Sequence, residues 1–554
     1  MEDALGGGFH IDRNGLVPCY LATPADEPGP TGKEGVTNIL SRQWNIEQFL
    51  RDHWRLLSLS AMLALALRNI FALDSVPRGF FQDEAAIGYD GWAIAHYGAD
   101  EHGAHLALFF ESFEDYKNPI YIYSVAAVTR FLPLTVATTR LPAAFFGILT
   151  VLFLAATAFK VTQSYTVTAL TFVIAAMTPW LMLESRVAFE VISLVFAISA
   201  AVYFLAAAQT SRPRLHYLLA GFSLMLGTFA YTPARLQIAV FALVLCASFG
   251  LPWRKFSSWW LALIPIALGY VVLVVWGLSH PGALTGRFQR IGILNDASPL
   301  VALGHFIVLY LTYIPSPEFL LVWGDFNWRH NIHFGGMLLV VTVPLLVIGV
   351  LACARRFSEP FPRFVLLGFF ASPFAAALTS QAAPHALRAA SMLPFCIVLI
   401  IYGVQALLAA KRNVQQKQRI AVWGTVALLL NGIGANVWLF TAYPALAADS
   451  FQDGAITALE VGHRVTGQHT MYITNSADIQ YSFPLFVFQP PPPSTPNANN
   501  VNDLLASLRI VRVATGTSAP LQPGDVLVAS PNDRAPQPAT IIFTNDWIRV
   551  YEVS

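Results

Sequence analysis

Between residues 56 and 440 the chain alternates long apolar runs with short polar connections. The runs are roughly 17 to 22 residues long, the length a helix needs to cross a bilayer. The pattern predicts spans at Leu56–Ala72, Arg140–Phe159, Tyr165–Leu183, Val187–Ala208, Leu215–Tyr231, Leu236–Phe249, Trp259–Leu278, Phe334–Ala354, Phe364–Thr379, Ala389–Ala410 and Ile420–Phe440. Ile120–Leu134 is also apolar, but at about 15 residues it falls short of a span and reads as an interfacial or partly inserted helix. Past Pro444 the pattern changes. Short β-type runs (Met471–Thr474, Phe483–Phe488, Ile510–Ala514, Val526–Ala529 and Thr540–Val553) alternate with helical candidates at Phe451–Val465 and Val501–Leu508. Gln489–Asn500 reads as an extended polyproline loop. The expected architecture is an all-α polytopic membrane protein of about eleven transmembrane helices, carrying a small C-terminal α/β domain. Its parts are a tail at 1–54, a membrane domain at 55–441 and the α/β domain at 442–554.

The charges orient this arrangement. With the N-terminus in the cytoplasm, the connections holding Lys160, Arg212 and Arg214, Arg254 and Lys255, Arg355, Arg356 and Arg363, and Lys411, Arg412, Lys417 and Arg419 all fall on the cytoplasmic side, where lysine and arginine are favoured. The opposite side receives a first loop at 73–139, a long loop at 279–333 and the C-terminal domain. Met1–Arg51 lacks the basic start and short apolar core of a cleavable signal, so the first span is expected to act as an uncleaved anchor. Only 12% of residues are charged and mean hydropathy is +0.55, against about 25% charged in soluble domains. A net charge of +1 with no basic stripe excludes a nucleic-acid partner. The four cysteines are scattered and supply neither metal spacing nor a disulfide framework.

Against this sparse charge, Phe80–Tyr123 stands out. It holds Asp83, Glu84, Asp90, Asp100, Glu101, Glu111, Glu114 and Asp115, a quarter of the 32 acidic residues in under a tenth of the chain. Carboxylates are costly beside hydrocarbon, so such a cluster is a candidate site. Asp83-Glu84 equally suits a helix start, with Asp83 as N-cap and Glu84 in the first turn of an interfacial helix over Ala85–His96. Glu114 and Asp115 precede Lys117-Asn118-Pro119, a turn into the next helix. Asp100-Glu101-His102 offers ligands for a divalent cation, although three adjacent residues cannot all converge on one ion. Basic residues recur on the same predicted face: Arg186 after Pro179-Trp180, Arg235 after Tyr231-Thr232-Pro233, Arg329 and His330 after Gly324-Asp325, and His385 with Arg388. Each alone suits a snorkelling side chain. Together, facing the carboxylates, they provide what transfer from a phosphate-linked donor needs: a proton acceptor and fixed cations for the departing phosphate.

The order of motifs carries a resemblance. Asp83-Glu84 after an apolar span is followed by Lys117-Asn118-Pro119, Arg140-Leu141-Pro142, Ser185-Arg186, Tyr231–Arg235, Gly324–His330 and Pro384–Arg388. This series, covering roughly Leu56 to Phe440, resembles the GT-C glycosyltransferases, and within them protein O-mannosyltransferase-like members of glycosyltransferase family 39 in their bacterial form. The resemblance implies an enzyme of a bacterial inner or plasma membrane, with a polyprenyl-phosphate sugar donor, an extracytoplasmic acceptor and inversion at the anomeric carbon. It implies Asp83 as general base with Glu84 assisting, and Lys117, Arg186, Arg235, Arg388 and His385 as candidates for the donor phosphate. Glu114, Asp115, Tyr231, Asp325 and His330 are further site candidates. No cofactor is required, and a divalent cation is left open. Two departures bear on the acceptor: Ala85-Ala86 stands where eukaryotic members have histidine, and Ser279–His333 has no room for a large soluble domain. Protein, lipid and glycan acceptors all stay open. Two other readings are a transporter or flippase of lipid-linked sugars, since intramembrane charges also mark permeation routes, and a non-catalytic envelope-assembly protein.

Overall fold

A computed structural model of the chain describes residues 46–113, 115–250, 258–293, 298–314, 317–410, 413–496, 500–534 and 536–554. The tail before residue 46, Glu114, and Arg254, Lys255, Lys411 and Arg412 of the basic connections lie outside the described residues.

Among the described residues, seven helices are long and apolar enough to cross a membrane: Val136–Thr162, Val191–Ala208, Ser258–Ser279, Pro299–Val322, Pro360–Ala377, Met392–Ala409 and Arg419–Thr441. Val191–Ala208 is central, with 83% of its length buried in the protein, whereas Arg419–Thr441, at 17%, turns most of its apolar surface outward. Leu268, Val271, Val274, Val275 and Leu278 likewise project outward from Ser258–Ser279. Apolar surface on this scale suits hydrocarbon as its solvent. Tyr165–Met177, Ala234–Phe249 and Val340–Arg355, parts of three expected spans, are apolar helices of 10–17 residues. Among the described residues the expected count of eleven is not confirmed: seven helices have full length, and the others are shorter. Pro299–Val322 arises inside the expected long loop; its helical start, Pro299–Tyr313, is bounded by prolines at both ends, which hid it as a run.

The short apolar segment before the second expected span forms the helix Pro119–Thr129, whose Tyr121, Ile122, Val125 and Ala126 are buried. Eleven residues span only about 16 Å, half a bilayer core. It packs against Gln82–Tyr97. That helix is not the interfacial one expected, because Glu84–Gly91, Ala93 and Ile94 are all buried. Its two glycines allow this close packing. A Cβ at Gly88 would lie 2.8 Å from the Phe486 ring, and one at Gly91 would lie 2.6 Å from Val125 Cγ1.

Strands β1 (Phe110–Ser112) and β2 (Asp115–Lys117) form an antiparallel hairpin with Phe110 opposite Lys117 and Ser112 opposite Asp115. The C-terminal region holds β3 (Met471–Thr474), β4 (Ile510–Val513), β5 (Val526–Ala529), β6 (Ala539–Thr544) and β7 (Arg549–Val553), in the order β4-β3-β5-β7-β6. Strand β3 runs parallel to β4 and β5, and β7 runs antiparallel to β5 and β6. Phe483–Phe488, expected as a strand, lies instead in the helix Ser482–Phe488. Its continuous apolar run has no period to separate strand from helix, and the run is buried against Gln82–Tyr97 and the residues leading into it, where Phe486 meets Phe80 at 4.7 Å.

Candidate active site

Two buried arginines set the position of the helix Gln82–Tyr97. All five N–H groups of Arg140 are used: two bond the Glu84 carboxylate (2.8 and 2.9 Å), and the others go to the carbonyls of Leu73, Pro77 and Gly79. Arg186 donates to the carbonyls of Arg68, Asn69, Phe71, Ala72 and Val76. Together they clamp the backbone between residues 68 and 79, which leads directly into the helix. Glu84 also accepts from the amides of Phe81 and Ala188. The helix starts at Gln82 with Phe81 as its N-cap residue, so Asp83 falls in the first turn rather than at the N-cap.

Asp83 therefore projects from a braced helix into a cavity of about 970 Å³, at the top of the range usual for small-molecule sites. The cavity brings together Asp83, Asp115, Lys117, Tyr231, Arg235, Asp325, His330, His385 and Arg388 from the sequence candidates. Glu84 and Arg186 are not among its lining residues; both are engaged in the clamp behind it. Glu190, Arg287 and Arg329 also line it. Arg287 was missed by the sequence reading, although an arginine in a predicted outer loop runs against the topological bias.

The charged groups are interlocked. Lys117 Nζ lies 2.7 Å from Asp83 Oδ1. Burial works against the Lys117 charge, but Asp83 and Glu190 outweigh it and hold its pKa above the usual value. Asn118 donates its backbone and side-chain N–H groups to Glu190, and its Oδ1 accepts from Arg235 Nη2 at 3.0 Å. Arg235 lies over the Phe109 ring, and its buried Nε has no partner. Arg388 is held by Thr379 Oγ1 and the Gln381 carbonyl (3.0 and 2.6 Å). Arg329 stacks on Phe81 at 3.8 Å, and Arg287 lies 3.6 Å from Asp115. Burial would raise the Asp325 pKa, but its hydrogen bond with His330 and the nearby histidine charges hold it below the ordinary value. Burial, reinforced by His330 and Arg388, pushes His385 well below its ordinary value.

Asp90, Asp100 and Glu101 do not line this cavity; Glu101 joins the first loop to the C-terminal domain, while Asp90 and Asp100 bond within the loop. Tyr481 donates to Glu101 Oε1 at 2.7 Å, Tyr89 donates to the Pro490 carbonyl, and Asp90 accepts the Glu101 amide. Asp100 Oδ1 accepts the amides of His102 and Ala104, so the Asp100-Glu101-His102 run serves as a turn. Burial pushes Glu101 up to about 8 from its ordinary 4.5, and raises Asp90 and Asp100 in the same direction. Between pH 4.5 and 8 the folded state thus holds a proton that the unfolded chain has released, and stability falls as pH rises through that window. The melting temperature of the purified protein is expected to decline from pH 5 to 9, by the equivalent of roughly a few kcal/mol. Glu101→Gln should flatten part of the decline, and a wild-type curve that is flat or rises over the same range would refute the assignment.

No protein-family model matches the chain, and neither does any curated protein. Solved structures do match. ArnT from Cupriavidus metallidurans bound to undecaprenyl phosphate aligns with a TM-score of 0.55 at 13% identity, covering 89% of this chain and 97% of that one. The same protein in its apo state gives 0.56 at 14% identity, covering 90% and 98%. The protein O-mannosyltransferase Pmt1-Pmt2 complex of S. cerevisiae covers only 42% of this chain at a TM-score of 0.31 and 17% identity, too little to carry an argument. The chain thus has the fold of the ArnT structures. The likeness is one of fold alone.

Proposed function

We propose that this chain is an integral-membrane glycosyltransferase that moves a sugar from a polyprenyl-phosphate donor to an extracytoplasmic acceptor with inversion. One observation carries the reading: a single cavity sets the Asp83 carboxylate beside Lys117 and among Arg235, Arg287, Arg329 and Arg388. Asp83 takes the proton of the acceptor's attacking group as that group bonds to the anomeric carbon. The bond from that carbon to the phosphate oxygen breaks, and the polyprenyl phosphate leaves with both electrons onto the cations. The binding of undecaprenyl phosphate by ArnT, on the same fold, supports the donor class. A mannose-type sugar and kinship with family 39 rest on the motif series alone. In this reading the cavity and the C-terminal domain face away from the cytoplasm in a bacterial inner membrane, and the acceptor is a protein, lipid or glycan.

The test is transfer of label from undecaprenyl-phosphate sugars by the protein in liposomes. A new covalent labelled product is expected; label that crosses the bilayer without forming one would overturn the proposal in favour of a flippase. Arg388→Gln is expected to raise the donor KM about 10- to 100-fold, the value of one to two charge-assisted hydrogen bonds. Arg388→Lys should recover part of the loss, and an unchanged KM in Arg388→Gln would remove Arg388 from the phosphate site.

A further inference from the structure

Asp325, His330 and His385 are drawn from two distant segments, and their side chains meet on one wall of the cavity. Gly324, with φ of +68°, turns the chain so that Asp325 points inward; a Cβ there would meet Asn331 Nδ2 at 2.3 Å. The Asp325 carboxylate is then braced from both sides, Oδ1 by the Asn327 amide and Oδ2 by the Ala386 amide, each at 2.8 Å. Both histidines present Nδ1 to the same carboxylate oxygen, His330 at 3.0 Å and His385 at 3.8 Å. Their rings stack at 4.6 Å with 26° between planes. His330 Nδ1 is within hydrogen-bond range of Asp325. His385 Nδ1 is not, and it is buried with no hydrogen-bond partner. A buried imidazole nitrogen without a partner, aimed at a carboxylate oxygen that already holds two others, needs an explanation.

We propose that Asp325, His330 and His385 form a divalent transition-metal site of the Zn²⁺ type, with its remaining coordination position open to the cavity. Three potential ligand atoms lie within 4.8 Å of one another. Zinc bonds of about 2.0–2.2 Å put neighbouring tetrahedral ligands about 3.3 Å apart, and the observed 3.0 and 3.8 Å straddle that spacing. Two imidazoles with one carboxylate and a vacant position form a donor set suited to Zn²⁺ or its neighbours, whereas Mg²⁺ and Ca²⁺ favour oxygen ligands throughout. The two backbone amides on Asp325 supply the outer-shell orientation such ligands need. One carboxylate balances only half of a divalent charge, and Arg329 and Arg388 line the same cavity. The open position therefore calls for an anion. On the glycosyltransferase reading, that anion is a donor phosphate oxygen.

The full-length protein in detergent would be stripped with chelator, dialysed against buffered Zn²⁺ and analysed by elemental mass spectrometry, then loaded with Co²⁺ for visible d–d spectroscopy. One equivalent of Zn²⁺ per chain and a low-symmetry Co²⁺ spectrum are expected. His330→Gln and His385→Gln should each weaken Zn²⁺ binding at least tenfold, while His333→Gln, a neighbouring histidine outside the trio, leaves it unchanged. Zn²⁺ should raise the melting temperature of the wild type but not of either variant; melting without metal confirms that the variants fold. Substoichiometric Zn²⁺ in the wild type, or undiminished binding in both variants, would overturn the site in favour of a plain Asp325–His330 hydrogen bond. A separate arm titrates undecaprenyl phosphate with and without Zn²⁺. Tighter binding with the metal is expected, and equal binding would overturn the link to the donor while the metal site itself stands on stoichiometry.

Discussion

Asp83→Asn is expected to lower the turnover of sugar transfer by 10²- to 10⁴-fold or more while leaving the protein folded and membrane-inserted. The factor is the usual contribution of a positioned general base, about 3–5 kcal/mol of barrier. The stability change should be far smaller. The Asp83 side chain is 38% exposed, and Lys117, its ion-pair partner among the described residues, keeps the nearby Glu190 charge when Asp83 becomes asparagine. Asparagine keeps the size and the hydrogen bond to Lys117 but accepts no proton. The helix beneath it is held by Glu84 and Arg140, which the substitution does not touch. Asp115→Asn provides the control, since Asp115 lines the same cavity but pairs with Arg287 rather than with Lys117; it should retain most activity. Single-turnover rates on purified, monodisperse protein give the comparison. Full activity in Asp83→Asn would remove the base assignment, whereas equal losses in both variants would point to cavity charge rather than one proton acceptor.

The sequence made the membrane class and the C-terminal strand pattern legible because both rest on periodicity, and periodicity is local. Met471–Thr474 and Val526–Ala529 are strands with the expected bounds, and the central apolar runs are helices. The misreadings fall where tertiary contact decides. Phe483–Phe488 had no period to read, and burial against Gln82–Tyr97 settles it as helix. Gln82–Tyr97 carries enough polar residues to suit an interface, yet it is enclosed because Gly88 and Gly91 let Phe486 and Val125 close on it. In the site, a count of charges identified Asp83, Lys117 and Arg388 as candidates but could not separate Arg186 from Arg235. Both are arginines near the same predicted face. Only coordinates show that Arg186 bonds five carbonyls, while Arg235 Nε is left without a partner in the cavity wall. His385 lies too far from Asp325 and His330 in sequence for any spacing rule to join all three.

Glu84 and Asp83 are neighbours with opposite fates, and Glu84→Ala is the variant that shows it. Both Glu84 and Arg140 side chains are fully buried, and the carboxylate takes two bonds from the guanidinium. Removing it leaves an arginine charge in the protein interior with backbone carbonyls and the Phe80 and Phe451 rings around it but no carboxylate bonded to it, and strands the amides of Phe81 and Ala188. Breaking one half of a buried pair typically costs about 3–5 kcal/mol, a large share of the roughly 5–15 kcal/mol that holds a domain folded. Glu84→Ala should therefore accumulate poorly and melt well below the wild type. Replacing the pair together, as Glu84→Leu with Arg140→Met, should recover part of the loss, because no orphan charge remains. Thermal melting of the two single variants and the double gives the coupling between them. A Glu84→Ala protein that melts like the wild type yet transfers no sugar would make Glu84 a partner in the chemistry instead. The geometry argues otherwise: its oxygens face Arg140 and two amides, and the reacting groups would meet Asp83, one residue earlier, on the side of the helix that opens to the cavity.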